Sequence, residues 1–400
     1  MRSRRVAALV ALALVAAGCD SSAPRQRVAL SATGPPGVIR VALADLLWPL
    51  DPGRARTRDE IVVARMLFST PLRTDPGTGA LRPGLCTSWR ATGATWRLRC
   101  RHAGAIAAQL RRSKLLRARR IAAPDPRRLM IVSAAPDPDL PYRLTEVAAA
   151  PPGVPGPFRL VSANRARLVV ERNGLRVEVR RLEPYTALRL FRAGRLDEAP
   201  VPLGDIRAEK LDPRLAPAVH VRRLLAADVV AFGPRLGREL RGVYNDSADR
   251  ADYQALVPEF EAPPAESLHE RGKPSAADAA IALRDARKRI PSLPRVAVRF
   301  AEPIDATLAY GTNLLVASWR DLGLGAITAR GGTDARLERL LAPYPRPKAL
   351  TDLARGEGIV PIAWVADARL VSPRLRGWHE DELGSVDYAR VRLRDPNRRR

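Results

Sequence analysis

The order of hydrophobic and polar positions along the chain predicts a mixed set of strands and helices. VIRVAL at 38–43 is typical of a strand, and two short apolar runs at 229–232 and 359–364, each beside glycine or proline, predict buried strands. The segment DEIVVARMLF at 59–68 predicts a helix, because two acidic residues in its first turn favour the positive end of the helix dipole.

Helix and strand patterns alternate between the two buried runs, at about 240–345, which is typical of an α/β lobe. If both runs cross between lobes, the chain leaves a first domain and later returns to it, and a cleft lies at the two crossings. The sequence therefore predicts an α/β fold, a two-lobed clamshell with 38–232 and 359–400 in the larger lobe and 233–358 in the smaller. One continuous α/β domain is the alternative.

A hairpin is predicted at 85–100, LCTSWRATGATWRLRC, where polar and apolar residues alternate around a glycine turn. With the turn centred on Gly93, Cys86 and Cys100 face each other closely enough for a disulfide. Outside the cytoplasm this arrangement favours a disulfide, whose loop would contribute about 3 kcal/mol to stability. Two free buried thiols are the alternative.

The N-terminus has the features of an export signal. Arginines in the first five residues precede an apolar run, 6–17, that is too short to span a bilayer as a helix. The run leads into LVAAGC, which resembles a lipobox, and that resemblance implies a signal peptide at 1–18, a lipid-modified Cys19 and a tether at 19–37. An ordinary secretion signal with an accidental cysteine is the alternative. In an organism with two membranes, Asp20 resembles an inner-membrane retention signal.

The excess of basic residues raises the question whether the protein binds nucleic acid or another anionic partner. The 400 residues carry 68 Lys and Arg against 42 Asp and Glu, a net charge of +26, or +23 without the three leader arginines. Arginines are mostly scattered, and only 111–120 and the last three residues are dense. Because no zinc-ligand spacing, aromatic RNA-binding pattern or leucine-zipper heptad accompanies them, we expect a solvated surface and no specific nucleic-acid partner. Attraction to anionic lipid or cell-wall polymer would be a side effect.

Several segments, in their order along the chain, resemble the extracytoplasmic solute-binding proteins of the dipeptide/oligopeptide ABC-importer family (solute-binding protein family 5). They are LDP at 50–52 and PL at 71–72 before the hairpin, GPFRLVSANRARLVVERN at 156–173, ALRLFRAGRLDEAPVPLGDI at 187–206, AADAAIALRDARKRIPSLPRVAVRF at 276–300 and LLVASWRDLGLGAITAR at 314–330. The resemblance implies a monomer without a cofactor that captures a peptide-like or other small solute between its lobes. It also implies delivery of that solute to a permease and its ATPase.

Two departures from the family bear on the ligand. The chain is shorter than is usual for the family, mainly in the second lobe. The family also has an aromatic–acid–proline stretch whose acid can hold the ammonium group of a peptide. The corresponding segment here is LAPYPRPKAL at 341–350, which contains no carboxylate. An arginine fork suits carboxylates or phosphates, so an anionic solute is expected. Residues beside the crossings or at the family's acid position are the candidates for ligand binding, each of which also fits a core or surface role: Trp48, Asp51, Phe232, Tyr344, Arg346 and Trp364.

Enzymatic chemistry has little support in the sequence. The four histidines are scattered without H-x-x-x-H or C-x-x-C companions, so no metal site is expected, and no G-x-S-x-G elbow is present. Glycines at 323–332 lack dinucleotide-binding spacing, and HEDE at 379–382 is expected to be a solvated turn. We therefore expect no enzyme. The alternatives to a transport receptor are a degenerate surface lipoprotein of the same fold that binds a protein or envelope partner, and then a hydrolase.

Overall fold

The computed structural model describes residues 37–44, 50, 57–75, 77–113, 115–147, 156–259, 261–265, 268, 276–293, 297–303, 306–331, 333–353 and 358–394. Its helices are α1 (Arg58–Leu67), α2 (Ala103–Leu110), α3 (Leu140–Arg143), α4 (Pro184–Arg192), α5 (Ile206–Leu211), α6 (Arg238–Asp246), α7 (Arg250–Leu256), α8 (Ala276–Arg289), α9 (Ala306–Asp321) and α10 (Pro347–Leu353). The first nine strands are β1 (Val38–Leu43), β2 (Leu72–Thr74), β3 (Leu81–Pro83), β4 (Cys86–Thr92), β5 (Thr95–Cys100), β6 (Ala118–Asp125), β7 (Arg128–Ser133), β8 (Arg159–Ala163) and β9 (Arg167–Arg172). The remaining nine are β10 (Leu175–Arg181), β11 (Glu198–Pro200), β12 (Val219–Phe232), β13 (Val298–Ala301), β14 (Ala326–Ala329), β15 (Ala335–Leu341), β16 (Ile359–Val371), β17 (Leu375–Arg376) and β18 (Arg392–Leu393).

Ten strands form one sheet in the order β14-β13-β15-β12-β16-β11-β1-β10-β9-β8. The central strands β12 and β16 have 14 and 13 residues and run antiparallel to each other. On one side, β15 pairs with β12 only through 226–232, and on the other, β11 pairs with β16 only through 369–371. The two halves of the sheet are therefore built on opposite ends of one strand pair, whose register shifts between Arg223 and Ala227.

Each half of the sheet has its own hydrophobic core. In the first, strands β1, β9 and β10 pack against α1, with Ile39 and Val62 fully buried. In the second, the far ends of β12 and β16 pack with β13, β15, α6 and α9 around Trp319, which stacks on Phe300 at a ring-centroid distance of 5.0 Å. The helix predicted at 59–68 is observed as α1.

A local signal fixes the start of α1. The Thr57 hydroxyl accepts a hydrogen bond from the Glu60 amide at 3.2 Å, and the Glu60 carboxylate accepts one from the Thr57 amide at 3.1 Å. This capping box satisfies two amides that a helix start otherwise leaves without partners.

A separate four-stranded sheet has the order β4-β5-β7-β6. One face packs on α2, where Leu98 and Leu129 meet Ile106 and Leu110. The hairpin predicted at 85–100 is observed as β4 and β5, and a register shift after Cys86 places that residue opposite Cys100. Their sulfur atoms lie 2.05 Å apart in a disulfide.

No helix in the described part of the chain combines the length and the apolar character that crossing a membrane requires. Within the same residues, no three His, Cys, Asp or Glu side chains gather where they could hold a metal ion.

Candidate functional site

The two halves of the molecule meet where the chain after β15 approaches the segment that contains α3. Tyr344, between β15 and α10, is buried in a cluster with Trp364 of β16 and Leu225 of β12, and Tyr142 of α3 packs against this cluster. We call the contact between residues 137–143 and 344–346 the seam. It joins positions about two hundred residues apart in sequence.

Arg143 forms the buried polar contact of the seam. Its Nη2 donates a hydrogen bond to the Tyr344 hydroxyl at 3.3 Å, and its Nη1 lies 2.6 Å from Asp137 Oδ2. Burial opposes the charge, but the hydrogen bond to Tyr344 and the nearby Asp137 carboxylate outweigh it and raise the pKa of Arg143. The guanidinium also lies 4.9 Å from the centre of the Tyr344 ring.

Arg346 forms the second polar contact of the seam, in a more open position. Its Nε lies 3.4 Å from Asp139 Oδ1, and its guanidinium carbon lies 4.8 Å from the centre of the Tyr142 ring. The Arg346 side chain is 48% exposed, whereas that of Asp139 is 6% exposed. Part of the guanidinium fork therefore remains open to solvent beside a carboxylate and an aromatic face.

A buried group of charged side chains lies next to the seam. We call it the charged cluster, and its members are Arg58, Asp59, Glu198, Asp367, Arg369 and Glu380. Arg58 lies 3.1 Å from Asp367 and 3.0 Å from Glu380. The segment that carries Glu380 continues into the seam, since Leu383 packs in the same cluster as Tyr344 and the Leu225 amide donates to the Glu382 carbonyl at 2.7 Å.

The charged cluster contains four carboxyl groups and two guanidinium groups, and the pKa values of Glu380 and Asp367 are shifted in opposite directions. Burial raises the pKa of Glu380 well above its usual range, and the neighbouring Asp367 carboxylate raises it further. Burial acts in the same direction on Asp367, but Arg369 and Arg58 outweigh it and lower the pKa of that carboxyl. The pair therefore favours a protonated Glu380 beside an ionised Asp367.

The expectation of a solvated HEDE turn at 379–382 is wrong. Glu380 and Asp381 are only 3% and 7% exposed. Both have arginine partners within the fold, because Arg58 reaches Glu380 and Arg65 forms an ion pair with Asp381. Acidic residues are usually exposed unless they are paired in this way.

The structure brings together three of the six candidates for ligand binding. Tyr344 and Trp364 pack in one cluster and Arg346 lies beside them on the seam, but the two aromatic residues are 2% and 5% exposed and already surrounded by protein. Phe232 lies apart in the core of the second half, with its ring centroid 5.7 Å from that of Tyr244. Trp48 and Asp51 lie outside the described residues, as does Cys19.

Sequence reasoning missed the side of the seam that belongs to the first half. Asp139, Tyr142 and Arg143 belong to the segment APDPDLPYRL at 135–144, which has no periodic pattern and matches no motif. Its one signal is that aspartates and prolines lie close to an aromatic residue, a composition typical of loops, where binding residues often occur.

The chain's sequence matches no family model and no curated protein. Its fold, however, matches many solved structures. The Haemophilus influenzae OppA complex with RPPGFSPFR has a TM-score of 0.74 at 16% identity, covering 89% of this chain and 99% of that one. The Escherichia coli murein tripeptide binding protein MppA has a TM-score of 0.75 at 15% identity, covering 89% and 98%. Burkholderia pseudomallei OppA has a TM-score of 0.75 at 15% identity, covering 91% and 100%.

This chain has the OppA fold. The prediction of an α/β fold of the periplasmic-binding-protein type is confirmed. Within this group, the unliganded open form of MppA has a lower TM-score, 0.64, at 16% identity over 89% of this chain and 97% of that one.

Proposed function

We propose that the protein is an extracytoplasmic solute-binding protein of the oligopeptide ABC-importer family, anchored to a membrane by a lipid on Cys19. It captures a small peptide-like solute between two lobes and delivers it to a permease and its ATPase. The observation that carries the proposal is the seam, where two arginine–tyrosine–aspartate contacts join the two halves of an OppA fold.

The two proposed lobes of the protein share the strand pair β12–β16. The register shift at 223–227 of β12 lies opposite 364–366 of β16, and the partner strands change there from one half of the sheet to the other. A bend at this point would part the seam without breaking either core. We therefore assign the crossings to these residues, inside the two strands and closer to their middle than positions 232 and 359.

The ligand we propose is a carboxylate-bearing solute. When the halves part, Arg346 and Asp139 lose each other as partners. A solute that carries a carboxylate and an ammonium group can then bind Arg346 with the first and Asp139 with the second. The arginine fork can hold a carboxylate through two parallel hydrogen bonds, which a lysine cannot do. Acidic peptides are therefore expected to bind more tightly than cationic peptides.

Calorimetric titration with acidic, neutral and cationic peptides tests this proposal. We expect Arg346→Ala to weaken binding of the best acidic peptide by about 1.5–3 kcal/mol, the usual effect of losing a hydrogen bond to a charged group. Arg336→Ala is the matched control, because Arg336 lies on the same strand-and-loop segment but pairs with Glu338 away from the seam. Tighter binding of cationic peptides, or an equal effect of both substitutions, contradicts the assignment of Arg346.

One observation favours the second candidate function, a surface lipoprotein that keeps the fold without transporting a solute. Tyr344 of the seam packs with Trp364 and Leu383 in a buried cluster that contains no ligand. A thermal-shift screen distinguishes the two functions, because a ligand that binds only the folded state raises its stability by RT ln(1 + [L]/Kd). The transport proposal requires at least one small solute that produces such a shift.

A further inference from the structure

Positive charge is concentrated in one part of this molecule. Residues 81–133, which contain the four-stranded sheet β4-β5-β7-β6, carry 13 Lys and Arg and a single acidic residue, Asp125. Elsewhere in the described structure, many arginines pair with carboxylates, as Arg167 does with Glu178 and Arg176 with Glu171. Positive charge is therefore not spread evenly over the molecule.

The sheet directs its arginines to one face. Along β5, Arg97 and Arg99 are exposed on either side of Leu98, which is 3% exposed and faces α2. The register places Arg90 of β4 on the same face as Arg97, and Arg128 of β7 on the same face as Arg99. The opposite face is the hydrophobic one, so the arginine face has no layer of protein over it among the described residues.

The arginines on this face form like-charged pairs across the strands. Arg90 lies directly opposite Arg97, and Arg99 lies directly opposite Arg128. Like charges in such positions destabilise a sheet. Within the described residues, Asp125 is the one carboxylate that forms an ion pair with these four side chains, through Arg128 at 3.1 Å. The fold therefore bears an electrostatic cost here that a bound anionic surface would remove.

A groove extends the basic face at one end of the strands. Its volume is about 560 Å³, and its lining residues are Thr87, Arg99, Cys100, Arg101, His102, Pro126 and Arg127. Arg101 and Arg127 are exposed, and Arg99 belongs to both the face and the groove. The basic surface thus continues from the flat sheet around its edge.

We propose that this face binds the anionic headgroups of a phospholipid membrane. We call it the basic face, and its members are Arg90, Arg97, Arg99, Arg101, Arg127 and Arg128. Clusters of four to eight basic residues close to a membrane are typical of sites for anionic lipids. The sheet is broad and presents guanidinium groups along several adjacent strands, as a planar array of phosphates requires.

The choice of a membrane over another polyanion rests on the lipid anchor at Cys19 in the proposed function. The 19 residues of the tether, 19–37, would reach at most about 65 Å if extended and about 24 Å on average if flexible. That tether keeps the folded part within reach of the headgroups. The acyl chains of the proposed anchor hold the protein at the membrane, and a basic surface near the headgroups adds an electrostatic attraction to anionic lipids.

Vesicle sedimentation of the mature chain carrying Cys19→Ser, which cannot be acylated at that side chain, tests the face without the anchor. We expect binding to vesicles of phosphatidylcholine and phosphatidylglycerol in equal parts, little binding to phosphatidylcholine alone, and loss of binding in high salt. Combined Arg90→Gln, Arg97→Gln and Arg99→Gln should lower the partition coefficient by about tenfold or more. The matched control removes three exposed arginines of the large sheet with Arg159→Gln, Arg167→Gln and Arg176→Gln.

Equal loss in the two triple variants, or binding of the unsubstituted chain to both kinds of vesicle, overturns the proposal. Binding to soluble poly(glycerol phosphate) that depends on the basic face, without binding to vesicles, overturns it in favour of a wall polymer. Circular dichroism checks that the variants fold, and removal of like-charged pairs should raise the melting temperature of the first triple variant. No solute is present in this experiment, so its failure and a failure of solute binding are separate results.

Discussion

Arg143 and Arg346 use the same chemistry in different surroundings. Each guanidinium lies over a tyrosine ring of the seam and beside an aspartate of the segment 137–139. The Arg143 side chain is 10% exposed and that of Arg346 is 48% exposed. Because water screens exposed pairs, the contact of Arg346 is the weaker of the two and the one that a solute can replace at lower cost.

In the charged cluster, the contributions of two neighbouring carboxyl groups to stability are expected to change with pH in opposite directions. Since the pKa of Glu380 is higher in the folded state, its contribution is favourable at low pH and is lost as the pH rises through that raised pKa. Glu380→Gln keeps a neutral group, so we expect its stability relative to the unsubstituted protein to increase as the pH rises above about 4.5. Urea unfolding at a series of pH values measures this difference.

Asp367→Asn is the matched control for that prediction. The pKa of Asp367 is lowered, so its ionised form contributes stability above its unfolded value that is lost as the pH falls through the folded value. At neutral pH this variant should lose about 3–5 kcal/mol, because Arg58 and Arg369 remain buried with fewer carboxylates. Similar pH profiles for the two variants would contradict the assignment of the proton to Glu380.

Cys19 is the residue on which the proposed membrane location depends. Cys19→Ala removes the thiol that the lipobox-like LVAAGC would offer for acylation, so we expect the protein to leave the membrane fraction. Fractionation followed by immunoblotting measures this release, at high salt to remove electrostatic binding. Mass spectrometry must show that the leader has been removed, and retention of a processed variant would count against the anchor.

Individual residues of the seam could be predicted only in part. Tyr344 and Arg346 were predicted as candidates for ligand binding because they stand where the oligopeptide-binding family has an acidic residue. Their partners Asp139 and Tyr142 could not be identified, since the contact joins distant parts of the chain and no local pattern records it. The burial of Glu380 could not be predicted for a different reason. Carboxylates in a short acidic run are usually solvated, and the arginine partner of Glu380 lies more than three hundred residues earlier in the chain.

At the scale of elements, the hairpin of β4 and β5 was accessible to sequence reasoning because its geometry is local. The turn glycine, Gly93, has a positive φ of 57°, which glycine adopts without strain. The pairing of Thr92 with Thr95 centres the turn between Gly93 and Ala94 instead of on Gly93, and the register shift after Cys86 restores the expected cysteine pair. The apolar alternation also marked VIRVAL and the end of β12. The first part of β12 was missed, since HVRRLLAAD at 220–228 mixes charged and apolar residues without a period of two.

The disulfide of this hairpin is open to a direct test. We expect thiol-labelling mass spectrometry of the non-reduced mature protein to find neither Cys86 nor Cys100 free, since the two residues lie opposite each other across the hairpin and are joined in the structure. Reduction should lower the free energy of unfolding by about 3 kcal/mol through the larger entropy of the open loop. The variant with Cys86→Ser and Cys100→Ser serves as the control, because reductant should not change its stability. Labelling of both cysteines before reduction would refute the prediction.

For the whole molecule, local patterns predicted the class of fold but not the order of its strands. That order depends on pairings such as Glu198 with Val371, which no stretch of sequence reveals. The shared strands also make the two cores interdependent. We expect hydrogen exchange to be slowest in the paired parts of β12 and β16 on either side of 223–227 and faster in the edge strands β8 and β14, since separating the central pair disrupts both cores. Exchange measured by mass spectrometry in the native protein tests this, and slower exchange at either edge would contradict it.

The position of β16 late in the chain has a consequence for biogenesis. During synthesis and translocation, β11 emerges long before the strand that covers its outer side, so the N-terminal half has an unpaired strand edge until residues near Val371 follow. The edge attracts other strands, which makes truncated products candidates for aggregation and proteolysis. In the export that we propose, a chain that has not been synthesised as far as β16 cannot have completed this fold. A secretion channel that accepts only unfolded polypeptide would therefore receive this protein in a suitable state, and folding would be completed on the far side.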